Sequence, residues 1–239
     1  LDGNDVDFKF EHGEIEINTE RGNHEIEITH SAEVQADMQG AYLSTYKVAD
    51  EEKRMLTTQF ESHYAREAFP CVDEPEAKAR FTIIITSDDA KDIILSNMPV
   101  EDEQIVGESK RVRFMQTPPM SSYLVAFIAS ELVSYETKSR HGVKITAYAT
   151  PAQNVSDLKI GGDFAADVLD YYDDLFKVPY PLPKLDLVAI PDFDAGAMEN
   201  WGLMTFREVA MLANEKSSTE QKIYISTVIA HEISHMWFG

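Results

Sequence analysis

The stretch "SSTEQKIYISTVIAHEISHMWF", residues 217 to 238, contains neither Gly nor Pro and reads as the longest helix in the chain. Ser217 followed by Glu220 has the form of a capping box at its start. His231 and His235 are one turn apart and share a face with Tyr224 and Val228, so the histidines are expected to continue a buried stripe. Two imidazoles at this spacing can hold one tetrahedral Zn²⁺ at about 2.0–2.1 Å each. Glu232 points in a neighbouring direction, where it cannot easily be a third ligand but can take a proton from water activated by the ion. The ion matters because water is a poor nucleophile near neutrality, and zinc lowers its pKa from 15.7 to about 7. The same spacing also arises on an amphipathic helix whose histidines only pack. Two ligands are one short of a catalytic zinc site. His12, His24, His30, His63 and His141 all lie in the first part of the chain, so the completing ligand is expected beyond Gly239.

Upstream the periodicity changes. "VDFKF" (6–10), "EIEI" (14–17) and "HEIEI" (24–28) alternate apolar and polar residues between turn-forming segments, which predicts an antiparallel meander with one wet face. Further strands are expected at 80–86, 92–96, 111–116, 123–135 and 143–149, giving a β-sandwich or saddle-like sheet. After "ATPAQN" the pattern "DFAADVLDYYDDLF" (163–176) turns helical, with Asp163 as cap and Pro179 as terminator, and "KLDLVAI" (184–190) reads as a strand. The fold class is therefore α+β: a β-rich domain over 1–146, then a second domain from 147 to 239.

The 239 residues include 42 acidic against 21 basic ones, a net charge of −21. No cluster of Lys and Arg exists to displace counterions from phosphates, which excludes nucleic acid as a partner. The acidity suits a soluble surface and, secondarily, steering of a cationic ligand such as a free peptide amine. Cys71 is the only cysteine, so no internal disulfide forms. No apolar run reaches membrane-spanning length. Leu1 opens no signal peptide and the first residues read as mid-strand, so the chain is expected to be part of a longer, cytoplasmic protein.

A second constellation precedes the helix. In "PDFDAGAMENWGLMTFRE" (191–208) the small residues Gly196 and Ala197 let backbone approach a ligand closely. Glu199 lies among the apolar Met198 and Trp201, surroundings in which a carboxylate either protonates or meets a cation. As an isolated loop the segment reads more readily as a turn with an exposed Glu.

Together the two motifs resemble the gluzincin zinc aminopeptidases, typified by the membrane alanyl, puromycin-sensitive and tricorn-interacting enzymes. Gly196-Ala197-Met198-Glu199-Asn200 matches that family's exopeptidase motif, and His231-Glu232-Ile233-Ser234-His235 its zinc motif. "TQFESHYAREAFPCVDEPEAKARF" (58–81), "SNMP" (96–99) and "TPPMSSYLVAF" (117–127) extend the likeness along nearly the whole chain. The resemblance implies a β-rich N-terminal domain docked on the start of a thermolysin-like catalytic domain. It also implies one Zn²⁺ on His231 and His235, Glu232 as general base, and peptide substrates with a free N-terminus. Glu199 and Glu61 would hold the substrate's α-amine, which with a reference pKa of about 7.7–8.0 is largely cationic. Gln59 would lie near the first side-chain pocket, and Gly196, Ala197, Met198 and Asn200 along the peptide. Cys71, Asp73 and Glu74 read as structural. Ser234, Met236 and Phe206 depart from the commonest family residues, which bears on specificity more than on reaction type. The family's third ligand, a glutamate on the next helix, and its transition-state tyrosine lie outside these residues, so the chain alone is expected to bind zinc weakly and hydrolyse little. Two other readings share the motifs: an epoxide hydrolase of the leukotriene-hydrolase kind, which Ala197 speaks against, and an inert scaffold, which has no chemical reason to keep all four of Glu199, His231, Glu232 and His235.

Overall fold

The structure is a computed structural model that describes residues 1–239. It divides into two compact units, Leu1–Ala32 and Glu33–Gly239. No helix is long and apolar enough to cross a membrane.

The first unit is built on a hairpin of β1 (Phe8–Glu11) and β2 (Glu14–Ile17). Its two-residue turn, His12-Gly13, has both φ angles positive (53° and 81°), the twist that suits a tight hairpin. The expected third strand at 24–28 does not form. Glu25 is held by Asp2 instead: the Asp2 N–H donates to the Glu25 carbonyl and the Glu25 N–H to Asp2 Oδ1. With only two strands the alternating face stays open, and Phe8 and Phe10 are 63% and 66% exposed.

In the second unit a four-stranded antiparallel sheet has the order β3 (Gly40–Val48), β4 (Glu51–Gln59), β9 (Phe127–Ser130), β6 (Ile93–Ser96). A single helical turn, α1 (Ala65–Ala68), follows β4. A three-stranded sheet places β8 (Ser109–Phe114) between β5 (Ile84–Ser87) and β7 (Val100–Val106). The β3–β4 hairpin was not foreseen from sequence, because β3 buries Tyr42, Ser44 and Tyr46, a polar-looking series.

The third sheet carries the site. Its order is β10 (Val133–Lys138), β11 (Lys144–Ala149), β12 (Lys184–Ile190), β14 (Leu203–Arg207), β13 (Ala197–Met198). β11, β12 and β14 run parallel, and α2 (Lys159–Phe176) makes the crossover from β11 to β12. Both faces of β12 are buried, which is why "KLDLVAI" is largely apolar. Leu185, Leu187 and Ala189 pack with α2 and α3 (Thr219–Phe238), while Val188, Ile190 and Leu203 pack with Tyr42, Phe60, Met120 and Leu124 from the β-rich part. A buried lysine strengthens the junction. Lys184 Nζ donates to Asp186 (2.7 Å), to the Ser96 carbonyl at the end of β6 (2.9 Å) and to the Gly202 carbonyl (2.7 Å).

Several expected boundaries move. The run 123–135 is not one strand but two, β9 and β10, which belong to different sheets. The expected domain division between 146 and 147 falls inside β11, whose ladder with β12 runs from Lys144 to Tyr148; the chain changes sheet earlier, between Ser130 and Val133. α2 starts at Lys159, and Asp163 lies inside it as the ion-pair partner of Lys159 rather than as its cap. The cap of α3 is Ser218, not Ser217: Ser218 Oγ accepts the Gln221 N–H at 3.1 Å, whereas Ser217 Oγ accepts from Asn214.

Candidate metal centre and amine site

α3 is capped by Ser218 and runs unbroken to Phe238, where the Gly239 N–H donates to the His235 carbonyl. His231 Nε2 and His235 Nε2 are 3.2 Å apart, with the rings nearly perpendicular at 85°. Two donors at 2.0–2.1 Å from a tetrahedral ion stand ~3.3 Å apart. The separation of the pair matches that of two donors on one zinc ion. Ser234 Oγ donates to the His231 carbonyl at 2.7 Å.

The expected buried stripe is not where the histidines are. Ile225, Ile229, Glu232, Ile233 and Met236 face the core, whereas His231 is exposed, His235 half-buried and Tyr224 exposed. α3 is apolar around much of its circumference, and the adjacent stripe packs. Glu232 is thus the group drawn inward, at 6% exposure.

Glu199 arrives from the other side. β13 is an edge strand, paired antiparallel to β14 with Ala197 opposite Phe206 and Met198 opposite Thr205. The loop before it is held by Arg207, whose N–H donates to the Gly196 carbonyl at 3.0 Å and whose guanidinium donates to the carbonyls of Phe193 (3.0 Å) and Asp194. Asp192 is fastened to β3, accepting the Thr45 N–H at 2.8 Å, while its carbonyl accepts Tyr42 OH, also at 2.8 Å. After Glu199, Asn200 Nδ2 donates to Thr205 Oγ1 at 3.2 Å. Gly202 takes φ +74°, and a Cβ there would lie 2.1 Å from the Asn97 carbonyl oxygen, so only glycine fits.

These elements bring Glu199, Glu232 and His235 together, with one donor atom of each within 4.8 Å of the others. Glu61, just past the end of β4, faces the same space. Burial and then Glu199 raise its carboxyl above the ordinary range, and His235 opposes that rise. Burial, Glu199 and Glu61 push Glu232 up to about 8. Three carboxylates so placed repel one another, and a cation among them relieves the repulsion. Gln59 and Asn200 are buried, and each leaves its side-chain carbonyl oxygen without a partner in the protein. Met198 is buried, Ala197 half-buried and Gly196 exposed.

Two residues were overlooked in the sequence. Tyr123 packs in the cluster that contains Phe60 and Met198, and its phenol is raised by burial, then by Glu199 and Glu61. Asn97 donates through Nδ2 to the carbonyls of Leu124 and Trp201, both at 2.8 Å, and accepts the Ala126 N–H through Oδ1. "SSYLVAF" and "SNMP" carried that signal only as matched motifs, with no role attached.

Residues 3–124 match the model of the Peptidase M1 N-terminal domain, and residues 162–239 match that of the Peptidase family M1 domain. The chain belongs to the M1 peptidase family. An Aminopeptidase N from Lactococcus lactis subsp. cremoris (strain MG1363) is 45% identical over 222 residues, covering 92% of this chain and 26% of that protein. Endoplasmic reticulum aminopeptidase 1 of Rattus norvegicus is 46% identical over 216 residues, covering 89% of this chain and 23% of its own. Probable aminopeptidase 2 of Sulfurisphaera tokodaii is 41% identical over 238 residues, covering 100% of this chain and 30% of its own. The chain thus spans about a quarter of the length of these relatives.

Proposed function

We propose that the protein carrying this M1 chain is a zinc-dependent aminopeptidase, which removes the first residue of peptides. The observation that carries this reading is the convergence of Glu199, Glu232 and His235 within 4.8 Å of one another, beside a histidine pair spaced for one metal ion. The names of its relatives point the same way.

His231 and His235 would hold the ion through their Nε2 atoms. When bound, zinc supplies a Lewis acid that makes water acidic near neutral pH. Glu232 accepts a proton and returns it to the departing amine. Burial, Glu199 and Glu61 raise its proton affinity in the metal-free site, and a cation held by the histidines would lower it again, leaving an ionised carboxylate to act as base. Glu199 and Glu61 receive the substrate's ammonium group, whose positive charge offsets their mutual repulsion. Because they sit at a fixed place relative to His235, they also limit how far a peptide enters. The outer edge of β13 has no partner strand and is available to an extended peptide.

The test compares aminoacyl-p-nitroanilides with their N-acetylated forms in the intact protein. Only the free-amine compounds are expected to be cleaved. Glu199→Ala is expected to lower kcat/KM by about 10²-fold, the loss of charge-assisted bonds to the ammonium. Equal cleavage of free and acetylated substrates overturns the exopeptidase reading.

A further inference from the structure

Within the turn that presents Glu61, Ser62 Oγ and His63 Nδ1 are 2.9 Å apart and the His63 and Tyr64 rings stack. The Tyr64 N–H donates to the Phe60 carbonyl at 3.0 Å and closes the turn around Glu61, Ser62 and His63. α1, which follows, has no side-chain cap of its own. Its Arg66 N–H goes instead to Asp73 Oδ2 at 3.1 Å, joined by Arg66 Nε at 3.2 Å, while Arg66 Nη2 donates to the Asp73 carbonyl at 2.9 Å. The Asp73 side chain is only 2% exposed, so it binds the turn from inside the protein.

The other carboxylate oxygen of Asp73 accepts Ser122 Oγ, and the neighbouring Ser121 Oγ donates to the Pro75 carbonyl. Ser121 and Ser122 lead into Tyr123 and Leu124. The Leu124 carbonyl shares the Asn97 amide with the Trp201 carbonyl, two residues from Glu199. A continuous path therefore runs from the Glu61 turn through Arg66, Asp73, Ser122, Leu124, Asn97 and Trp201 to Glu199. Its two ends lie near enough for the Glu199 charge to raise the Glu61 carboxyl.

We propose that Asp73 is a positioning residue that sets the separation of Glu61 from Glu199 and so tunes the site for the substrate's ammonium group. This rests on the reading of those two carboxylates as the amine anchor. A buried carboxylate is suited to the role because it accepts from both sides in fixed directions and is costly to leave unsatisfied. Asp73 and Ser122 are both buried, so neither presents a surface to a peptide.

The experiment measures KM, kcat, zinc content and thermal midpoint in the intact protein, using aminoacyl-p-nitroanilides. Asp73→Asn and Ser122→Ala are each expected to raise KM about 3–10-fold with kcat within about twofold and zinc unchanged, the pattern of lost uniform binding. In a Glu61→Gln background the same substitutions are expected to add almost nothing, because residues acting through one group are non-additive. Ser122→Ala removes one hydroxyl and carries the test even where Asp73→Asn fails to fold. If Asp73 or Ser122 variants raise KM by the same factor with and without Glu61, the effect is general loosening and the positioning role is overturned. If Glu61→Gln itself leaves KM unchanged, the amine-anchor reading falls and takes this inference with it. The two failures are thus told apart by a single variant.

Discussion

Along α3, one local rule places His231, Glu232 and His235: a capped, unbroken helix puts residues i and i+4 one above the other. The shell on the opposite side has no such rule. Glu61 follows a strand, Glu199 follows a two-residue strand, and both depend on contacts made far along the chain: Asp192 with β3, Asn97 with Trp201, and Asp73 with Ser122. A substitution on α3 is therefore expected to change chemistry while leaving neighbouring geometry intact. A substitution in the shell is expected to move groups it does not touch.

The largest expected effect belongs to the helical side. Glu232→Gln keeps size and hydrogen-bonding capacity but removes the proposed base, and is expected to lower kcat by about 10³-fold with zinc content unchanged. Stability in the zinc-free protein should move the other way. The ordinary pKa of this carboxyl is 4.5 and its folded value is about 8, so between those values the folded chain keeps a proton that the unfolded chain releases. Glu232 therefore costs stability progressively as pH rises through that window. Glu232→Gln should gain almost nothing at pH 4 and about 1–3 kcal/mol at pH 8, read from denaturant midpoints. A gain that is flat with pH would show that the carboxylate is not held in an unfavourable setting, and loss of zinc would make Glu232 a ligand.

Next in size is a change in the shell that alters no functional group. Gly202→Ala places a Cβ 2.1 Å from the Asn97 carbonyl oxygen at a backbone φ of +74°. The backbone of Asn97 or of the loop must shift, and Gly202 also provides a carbonyl to Lys184. The expected cost is about 3 kcal/mol, because strain at a left-handed position adds to a clash with main chain. The contrast with α3 sharpens in the kinetics: KM for free-amine substrates should rise although no anchoring residue was touched. Wild-type stability and KM in this variant would mean that the shell is as locally determined as the helix.

The sequence was legible where structure is local. The α3 run, the helical pattern near 163–176 and the strand at 184–190 all form, within a few residues at their ends. The Glu199 and His231 motifs were visible because chemistry restricts their residue types. The parts that stayed hidden are polar residues in buried positions. Tyr42, Ser44 and Tyr46 form one side of the longest hairpin, yet in sequence they look like a surface. Asn97 and Asp73 act through hydrogen bonds to residues 104 and 49 positions away. No periodicity announces such a partner. The misplaced stripe on α3 has a related origin: with two adjacent apolar stripes, only tertiary packing decides that Ile229 and Ile233 face inward and the histidines do not.

The smallest expected effect returns to the helix and isolates its local character. Ser218 Oγ accepts the Gln221 N–H at 3.1 Å and satisfies one of the free donors in the first turn of α3. Ser218→Ala is expected to cost about 1 kcal/mol, read from the denaturant midpoint. Ser217→Ala should cost less, because its hydroxyl serves only the preceding turn at Asn214. His231 lies thirteen residues further on, ~20 Å along the helix axis at 1.5 Å per residue. A frayed first turn does not reach that far, so zinc content and KM should match those of the wild type in both variants. A larger loss for Ser217 than for Ser218 would reassign the cap. A change in KM from either would show that the histidine end of α3 depends on its distant start, and that helix and shell differ less than their contacts indicate.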